Sequence, residues 1–137
     1  MRDSSKAFSD RARTFVGVRF RPQGHDPSTG LDCVGLVANV FDLPRAELRR
    51  NYRLRGDYRG EITVALSKWF AEIAPRERRA GDLVLCVVTA DQLHFAIQCG
   101  GSFVHADARL RRVVETPGDS CWPIVAVFRP LRFPGTD

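Results

Sequence analysis

The sequence predicts an α+β domain in which N-terminal helices pack on an antiparallel sheet of about five strands. Apolar residues recur at helical spacing through about residue 73, whereas from Leu83 onward they recur at strand spacing. The strand half also contains Gly100-Gly101, a two-residue hairpin signal between two apolar segments. Because 137 residues suffice for one domain with its own core, we expect a single domain over residues 1–137, with 130–137 as a loose tail.

The first helix is predicted at residues 4–16, where apolar residues lie on one face and Ser4 or Ser5 can cap the start. Gly17 ends it. Residues 18–31 are rich in glycine, proline, serine and threonine, so this segment is predicted to be an ordered loop.

Two further helices are predicted before the strands begin. One starts after Asp32, a favourable N-cap residue, and is closed by Pro44. The other covers residues 61–73, where five large apolar residues form one stripe, and Pro75 stops it.

The strand half begins after Gly81. Its five predicted strands form a meander and cover residues 83–88, 93–99, 102–106, about 111–114 and 123–128.

Composition excludes several classes of protein. Hydrophobic residues make up 44% and charged residues 27%, which is ordinary for a globular domain and disfavours a disordered chain. The longest apolar runs fall far short of the roughly 18 residues that span a bilayer, so no membrane partner is expected.

The net charge is +5, and the arginines are densest in residues 45–59. Such a stretch can bind an anionic partner such as nucleic acid or a carboxylate-rich polymer, or it can be a solvated surface. Because few aromatic residues interleave with the arginines, we favour the solvated surface and expect no nucleic-acid partner.

The four cysteines, Cys33, Cys86, Cys99 and Cys121, form no C-x-x-C pair, which disfavours a zinc ribbon. The last three lie in apolar, strand-like segments and are expected to be small buried hydrophobic residues. Cys33 instead follows the N-cap of a predicted helix.

The Gly100-Gly101 turn fixes which residues of the two flanking strands face each other. With a two-residue turn, facing residue numbers sum to 201, so Ala96 faces His105. His94 and His105 then become diagonal neighbours on one face, with backbones about 7 to 8 Å apart.

Cys33, His94 and His105 are therefore the candidate catalytic residues. A thiol is nucleophilic as thiolate, and a helix N-terminus or a neighbouring imidazole lowers its pKa. His94 would be the base and His105 the group that orients it. The alternatives are that each residue serves only packing, or that the three form a zinc site, which lacks the usual ligand-pair spacing.

Three blocks of the sequence resemble the NlpC/P60 family of cysteine peptidases, which cut peptidoglycan stem peptides. Residues 17–24 and 31–37, Gly-Val-Arg-Phe-Arg-Pro-Gln-Gly and Leu-Asp-Cys-Val-Gly-Leu-Val, are similar to the family's segment around the nucleophile. Residues 80–84 are similar to its P-G-D-L strand entry. Residues 92–97 and 103–106 are similar to its H-V-G-I-Y and F-I-H-A strands.

This resemblance implies a papain-like fold, a Cys33-His94-His105 triad and no metal or other cofactor. It implies attack of Cys33 on an amide, typically the γ-D-glutamyl to diamino-acid bond, and it places Asp32, Phe20 and Val34 against the substrate. Phe20 and Val34 stand where the family usually has tyrosine and serine, so substrate preference is expected to differ.

The charged N-terminus is followed by no apolar segment, so we expect synthesis in the bacterial cytoplasm without a signal peptide. A short, single-domain chain of this kind, with no signal and no wall-binding repeat, resembles the peptidases of phage tails and gene transfer agents. On that resemblance the partners are peptidoglycan peptides and tail or baseplate proteins, and the chain acts at the wall within a particle. The alternative is a catalytically degenerate structural subunit of a phage-like tail.

Overall fold

A computed structural model describes residues 4–44, 59–89, 92–118 and 122–131. Its helices are α1 (Ser4–Arg13), α2 (Cys33–Phe41) and α3 (Arg59–Leu66). Its strands are β1 (His25–Asp26), β2 (Gly30–Leu31), β3 (Phe70–Ile73), β4 (Leu83–Thr89), β5 (Gln92–Gln98), β6 (Ser102–Asp107), β7 (Arg112–Pro117) and β8 (Ile124–Pro130). The predicted α+β class, with helices before the sheet, is confirmed.

The main sheet has six strands in the order β3-β8-β4-β5-β6-β7, and β1 and β2 form a separate two-stranded sheet. All neighbours in the main sheet are antiparallel. Strands β4 to β7 form the predicted meander. The expectation that the last strand continues this meander is wrong, because β8 returns across the sheet and pairs between β3 and β4.

The sixth strand comes from the segment predicted as the end of the third helix. Helix α3 ends at Leu66, and Phe70–Ile73 pairs with residues 127–130 of β8. A short apolar segment fits either a helical or a strand period. Pairing with β8 satisfies its backbone hydrogen bonds and buries Phe70, so the strand forms instead of the helix.

Other element ends differ from the predictions by a few residues. Helix α1 ends at Arg13 instead of residue 16, and turns follow it. Asp42, rather than Pro44, ends α2, because its left-handed backbone (φ 56°) breaks the helix and turns the N–H of Leu43 back to the carbonyl of Ala38 (2.9 Å). The loop at 18–31 contains β1 and β2.

Several predicted features fall where the structure gives no description. They are the capping side chains of Ser4 and Ser5, residues 45–58 of the arginine-dense stretch, Cys121, and residues 132–137 of the tail.

Side chains cover the sheet on both faces. The larger cluster packs the helices on one face and includes Leu36, Val37 and Val40 of α2 with Phe95 and Ile97 of β5. The smaller cluster lies on the other face and consists of Val84, Cys86, Ala96, Phe103 and Val127, with Ile73, Trp122 and Ile124 packed against it. Alternation along the strands places His94 and His105 on this second face.

The loop before α2 is fixed along the outer edge of β7. Gly17 N–H donates to the carbonyl of Val113 (2.9 Å), and Val113 N–H donates to that of Val18 (2.8 Å). Phe20 N–H donates to the carbonyl of Arg111 (2.9 Å). These bonds cover the β7 edge of the sheet and bring the segment that precedes Cys33 to the edge next to β6, the strand that carries His105.

None of the helices in these ranges has the length and apolar character needed to span a membrane.

Candidate active site

Asp32 fixes the start of α2 and joins it to the preceding loop. Its Oδ1 accepts from Gly35 N–H (2.8 Å), which is the predicted N-cap bond, and its Oδ2 accepts from Gln23 N–H (2.9 Å). Cys33 is the first residue of the helix and is 8% exposed. Its sulfur therefore lies in the first turn, where the helix dipole favours the thiolate.

Two glycines allow the loop to lie directly on this first turn. A β-carbon at Gly35 would collide with the carbonyl oxygen of Gly24. A β-carbon at Gly24 would in turn collide with the carbonyl of Gly30. The glycine two residues after Cys33 is therefore required by close backbone packing, and this packing fixes the position of Cys33.

The histidine pair lies where the turn predicts it. Ile97 pairs with Val104 and Gln98 with Phe103, so the predicted register, in which facing residues sum to 201, is confirmed. His94 Nε2 lies 3.3 Å from His105 Nδ1, and the two rings meet edge to face. A hydrogen bond thus joins the two imidazoles.

Thr116 continues this chain of contacts and was not predicted from the sequence. Its Oγ1 lies 3.0 Å from His105 Nε2. Thr116 faces Phe103 across β6 and β7, whereas His105 faces Val114, so Thr116 and His105 are diagonal neighbours. The four-residue turn at 108–111 carries no sequence signal as definite as Gly100-Gly101. The sequence alone therefore does not fix the register of β6 and β7.

Trp122 packs against both histidines and was likewise missed. Its ring lies 5.3 Å from that of His94 and 5.3 Å from that of His105, edge to face in both cases. The residue precedes β8, so its place depends on the return of β8 to β4, which is not a local property of the sequence.

Burial sets the charge of the histidines. Loss of water around the ring is the main cause that lowers the pKa of His94 from 6.5 to about 4, His105 adds to this, and Asp107 opposes it. Burial likewise lowers the pKa of His105, against the opposing effect of Asp107. Both rings are therefore neutral at neutral pH, and a neutral imidazole is the form that can accept a proton.

Cys33 and the histidines are carried by elements in contact, since α2 packs against both β5 and β6, from the face of the sheet opposite the histidine side chains. The described contacts join the histidines to each other and Cys33 to the helix and the larger cluster. The approach of the Cys33 sulfur to His94 stays a prediction, as do the roles of all three residues.

The residues predicted to meet the substrate are also placed. Val34 is 6% exposed and belongs to the larger cluster, and Phe20 is half-buried against it. Asp32 holds the loop and the helix together. Their contact with substrate stays a prediction.

The other described cysteines differ from Cys33 in position. Cys99 lies in the larger cluster, and burial is the main cause that raises its pKa to about 11. Cys86 faces His94 across β4 and β5 and is fully buried. The described cysteines, Cys33, Cys86 and Cys99, form no disulfide, and no three metal-ligating side chains come together within the described ranges.

Solved structures share this fold over nearly the whole chain. NlpC2 from Trichomonas vaginalis matches with a TM-score of 0.69 at 16% identity, covering 96% of this chain and 48% of its own. NlpC1 from the same organism is covered over 45%, so this chain spans about half the length of these two proteins.

Other matches have nearly the same length as this chain. The NlpC/p60 domain of the peptidoglycan hydrolase SagA matches with a TM-score of 0.61 at 24% identity, covering 90% of this chain and 96% of the domain. RipD from Mycobacterium tuberculosis, described as a non-catalytic NlpC/p60 domain protein adapted to peptidoglycan binding, matches with a TM-score of 0.59 at 16% identity. That match covers 96% of this chain and 100% of RipD.

Comparison with curated proteins gives no match. A sequence model of the NlpC/P60 family, however, matches residues 17–125, which include the loop before α2, α2 itself, and strands β5 and β6 with the two histidines. The chain belongs to the NlpC/P60 family.

Proposed function

We propose that this chain is a cysteine peptidase that hydrolyses amide bonds in peptidoglycan stem peptides, typically between γ-D-glutamyl and a diamino acid. One arrangement carries the proposal: a cysteine in the first turn of an Asp-capped helix, packed on the two strands that bear a hydrogen-bonded histidine pair. A nucleophile, a base and a group that orients the base are the parts that covalent amide hydrolysis requires.

The family supports the substrate class. NlpC/P60 proteins are mostly peptidoglycan hydrolases, although some are non-catalytic. SagA is described as a peptidoglycan hydrolase, and this chain matches 96% of its NlpC/p60 domain.

In the proposed acylation step, His94 accepts the proton of the Cys33 thiol. Because His94 Nε2 contacts His105, the exchange with sulfur falls to Nδ1. The thiolate adds to the amide carbonyl carbon, and the backbone N–H of Cys33 contributes to binding the oxyanion. His94 then gives its proton to the leaving amine as the C–N bond breaks, which leaves a thioester on Cys33.

Deacylation follows the same route with water. Neutral His94 removes a proton from water, the hydroxide adds to the thioester, and the C–S bond breaks. The proton returns to the Cys33 sulfur, so the protein ends as it began and needs no redox partner.

The first test compares Cys33→Ala with Cys99→Ala in a muropeptide digestion followed by mass spectrometry. We expect Cys33→Ala to abolish release of cleaved peptides, because the attacking atom is gone, while Cys99→Ala keeps activity. Unchanged circular dichroism of both variants controls for folding. Equal activity of wild-type protein and Cys33→Ala would contradict the proposal.

The second test titrates the native protein with a thiol-alkylating reagent and maps the modified cysteine at each pH. We expect Cys33 to react with an apparent pKa well below the ordinary thiol value of about 8.5. Cys99 should stay unmodified at neutral pH, because burial raises its pKa to about 11. A Cys33 that reacts no faster than a simple thiol at any pH would contradict activation.

The second candidate function is a non-catalytic subunit of a phage-like tail. Two observations favour it: Phe20 and Val34 carry no polar group where the family usually has tyrosine and serine, and RipD is described as non-catalytic. This candidate predicts an inert Cys33 thiol and partner binding without turnover, so the alkylation experiment separates it from the peptidase.

The proposed setting is a tail-like or gene-transfer-agent particle, whose proteins are made in the bacterial cytoplasm and reach the wall with the particle. The support is the resemblance to the short peptidases of such particles. Mass spectrometry of purified particles tests it, and recovery of the chain only outside particles would contradict it.

A further inference from the structure

Three side chains on neighbouring strands form a continuous line of possible hydrogen bonds. It runs from His94 Nε2 to His105 Nδ1 (3.3 Å) and from His105 Nε2 to Thr116 Oγ1 (3.0 Å). His105 is 3% exposed, so water cannot readily replace these partners.

A neutral imidazole carries one N–H, so the line can run in two directions. In the first, His94 Nε2–H donates to His105 Nδ1, and His105 Nε2–H donates to Thr116. In the second, Thr116 O–H donates to His105 Nε2, and His105 Nδ1–H donates to His94 Nε2.

The two directions leave different chemistry at His94. The first leaves an electron pair on His94 Nδ1, which can accept the proton of Cys33. The second places a proton on Nδ1, so His94 cannot act as base toward sulfur. Only the first direction supports amide hydrolysis.

The first direction also suits the charged form of His94. An imidazolium has both nitrogens protonated, so its Nε2–H can still donate to His105 Nδ1. In the second direction this nitrogen faces the N–H of His105, and the two donors would repel as the charge forms.

We propose that Thr116 is a positioning residue that sets this direction by accepting the Nε2–H of His105. The inference rests on the proposed function, in which His94 is the base. Without the hydroxyl oxygen, His105 Nε2–H would be a buried donor lacking an acceptor, and the Nδ1–H tautomer of His105 would gain population.

The sheet holds Thr116 in place for this role. Pairing along β6 and β7 continues from Ser102 and Pro117 to Asp107 and Arg112. Thr116 lies inside that ladder, so its side chain is directed to the same face as His105.

The test compares Thr116→Val, which keeps the shape and removes the hydroxyl, with Thr116→Ser, which keeps the hydroxyl. Thr89→Val, an exposed threonine at the end of β4, is the matched control. Imidazole 15N spectra report each tautomer, and the exposed third histidine, His25, is an internal reference. We expect His94 and His105 to be Nε2–H tautomers in wild type and Thr116→Ser, and His105 to shift toward Nδ1–H in Thr116→Val.

Kinetics give the second readout. Thr116→Val should lower kcat for a muropeptide by about tenfold or more with little change in KM. Thr116→Ser, which keeps the hydroxyl, should keep most of the wild-type kcat. Should Thr116→Val fail to fold, Thr116→Ala is measured in the same way.

Unchanged tautomers of His105 in the folded variant without a hydroxyl would overturn the proposal, whatever its activity. If wild-type protein does not cleave muropeptides but Thr116→Val shows the expected tautomer shift, the proposed function is overturned and the role of Thr116 stands. The spectra need no activity, so the two failures are distinguishable.

Discussion

His94 is the residue whose surroundings decide the chemistry of the site. Its ring contacts His105 on one side and Trp122 on another, and burial lowers its pKa to about 4. A histidine with this pKa is uncharged over the whole neutral range, so it is ready to accept a proton but is a weaker base than an exposed imidazole. Burial beside Trp122 thus makes His94 a weaker base, while the packing holds its ring in one orientation.

Replacing Trp122 with alanine should raise the pKa of His94 from about 4 toward its ordinary 6.5, because water reaches the ring. A pH titration of the histidine side-chain resonances measures it. Trp69→Ala is the control, since Trp69 packs against the larger cluster on the other face and should leave His94 unchanged. An identical titration of His94 in wild type and Trp122→Ala would refute this account.

At this scale, the sequence predicts the part of the site that local signals define. Gly100-Gly101 fixes the turn, so the His94–His105 contact follows from counting residues. Thr116 and Trp122 complete the pair, but their positions depend on an irregular turn and on a strand that returns from a distance.

Among the elements, α2 and its preceding loop behave as one unit. Asp32 bonds to both, and Gly24 and Gly35 let their backbones touch. Cys33 is therefore positioned by backbone packing on one side and by the sheet on the other, and neither depends on a long side chain.

Substituting Gly35 with alanine should lower the free energy of unfolding by about 1–3 kcal/mol, because the new methyl group must displace the Gly24 backbone. Urea denaturation measures it. Gly60→Ala in α3 is the matched control. Nothing lies within 4 Å of a β-carbon added at this position, so the free energy of unfolding should rise by up to about 1 kcal/mol. Equal effects of the two substitutions would contradict close packing at Gly35.

The elements also show where sequence periodicity ceases to be informative. Helix α2 has nine residues and a clear N-cap, and the prediction of its start after Asp32 is confirmed. Phe70–Ile73 has only four residues, so its period is ambiguous, and its partner in β8 lies more than fifty residues later. Pairing at that separation decides the outcome, and no local pattern contains it.

For the whole molecule, the buried histidines make stability depend on pH. The folded protein holds His94 and His105 neutral, because burial lowers both pKa values, whereas the unfolded chain protonates them near the ordinary 6.5. At pH values between the lowered pKa of the folded state and the 6.5 of the unfolded state, the unfolded chain binds more protons, so acid favours unfolding. Above 6.5 the effect vanishes, since both states are neutral.

The free energy of unfolding should therefore fall as the pH drops from 6.5 toward about 4, by up to about 1.4 kcal/mol per pH unit for His94, and His105 should add to the slope in the same direction. Urea denaturation across this range measures the slope. His94→Gln should flatten it, because one buried titrating group is removed. The same slope in His94→Gln and wild type would show that other groups carry the acid sensitivity.

The return of β8 to a position between β3 and β4 has a consequence for how the chain folds. The hairpin with both histidines is complete once β6 has formed, but the inner edge of β4 stays open until Ile124–Pro130 arrives. During synthesis, therefore, the hairpin that carries the two histidines leaves the ribosome before the strand that closes its sheet. An open β4 edge rich in apolar residues is a template for wrong pairing, so the interval before β8 docks is when this protein is most exposed to aggregation.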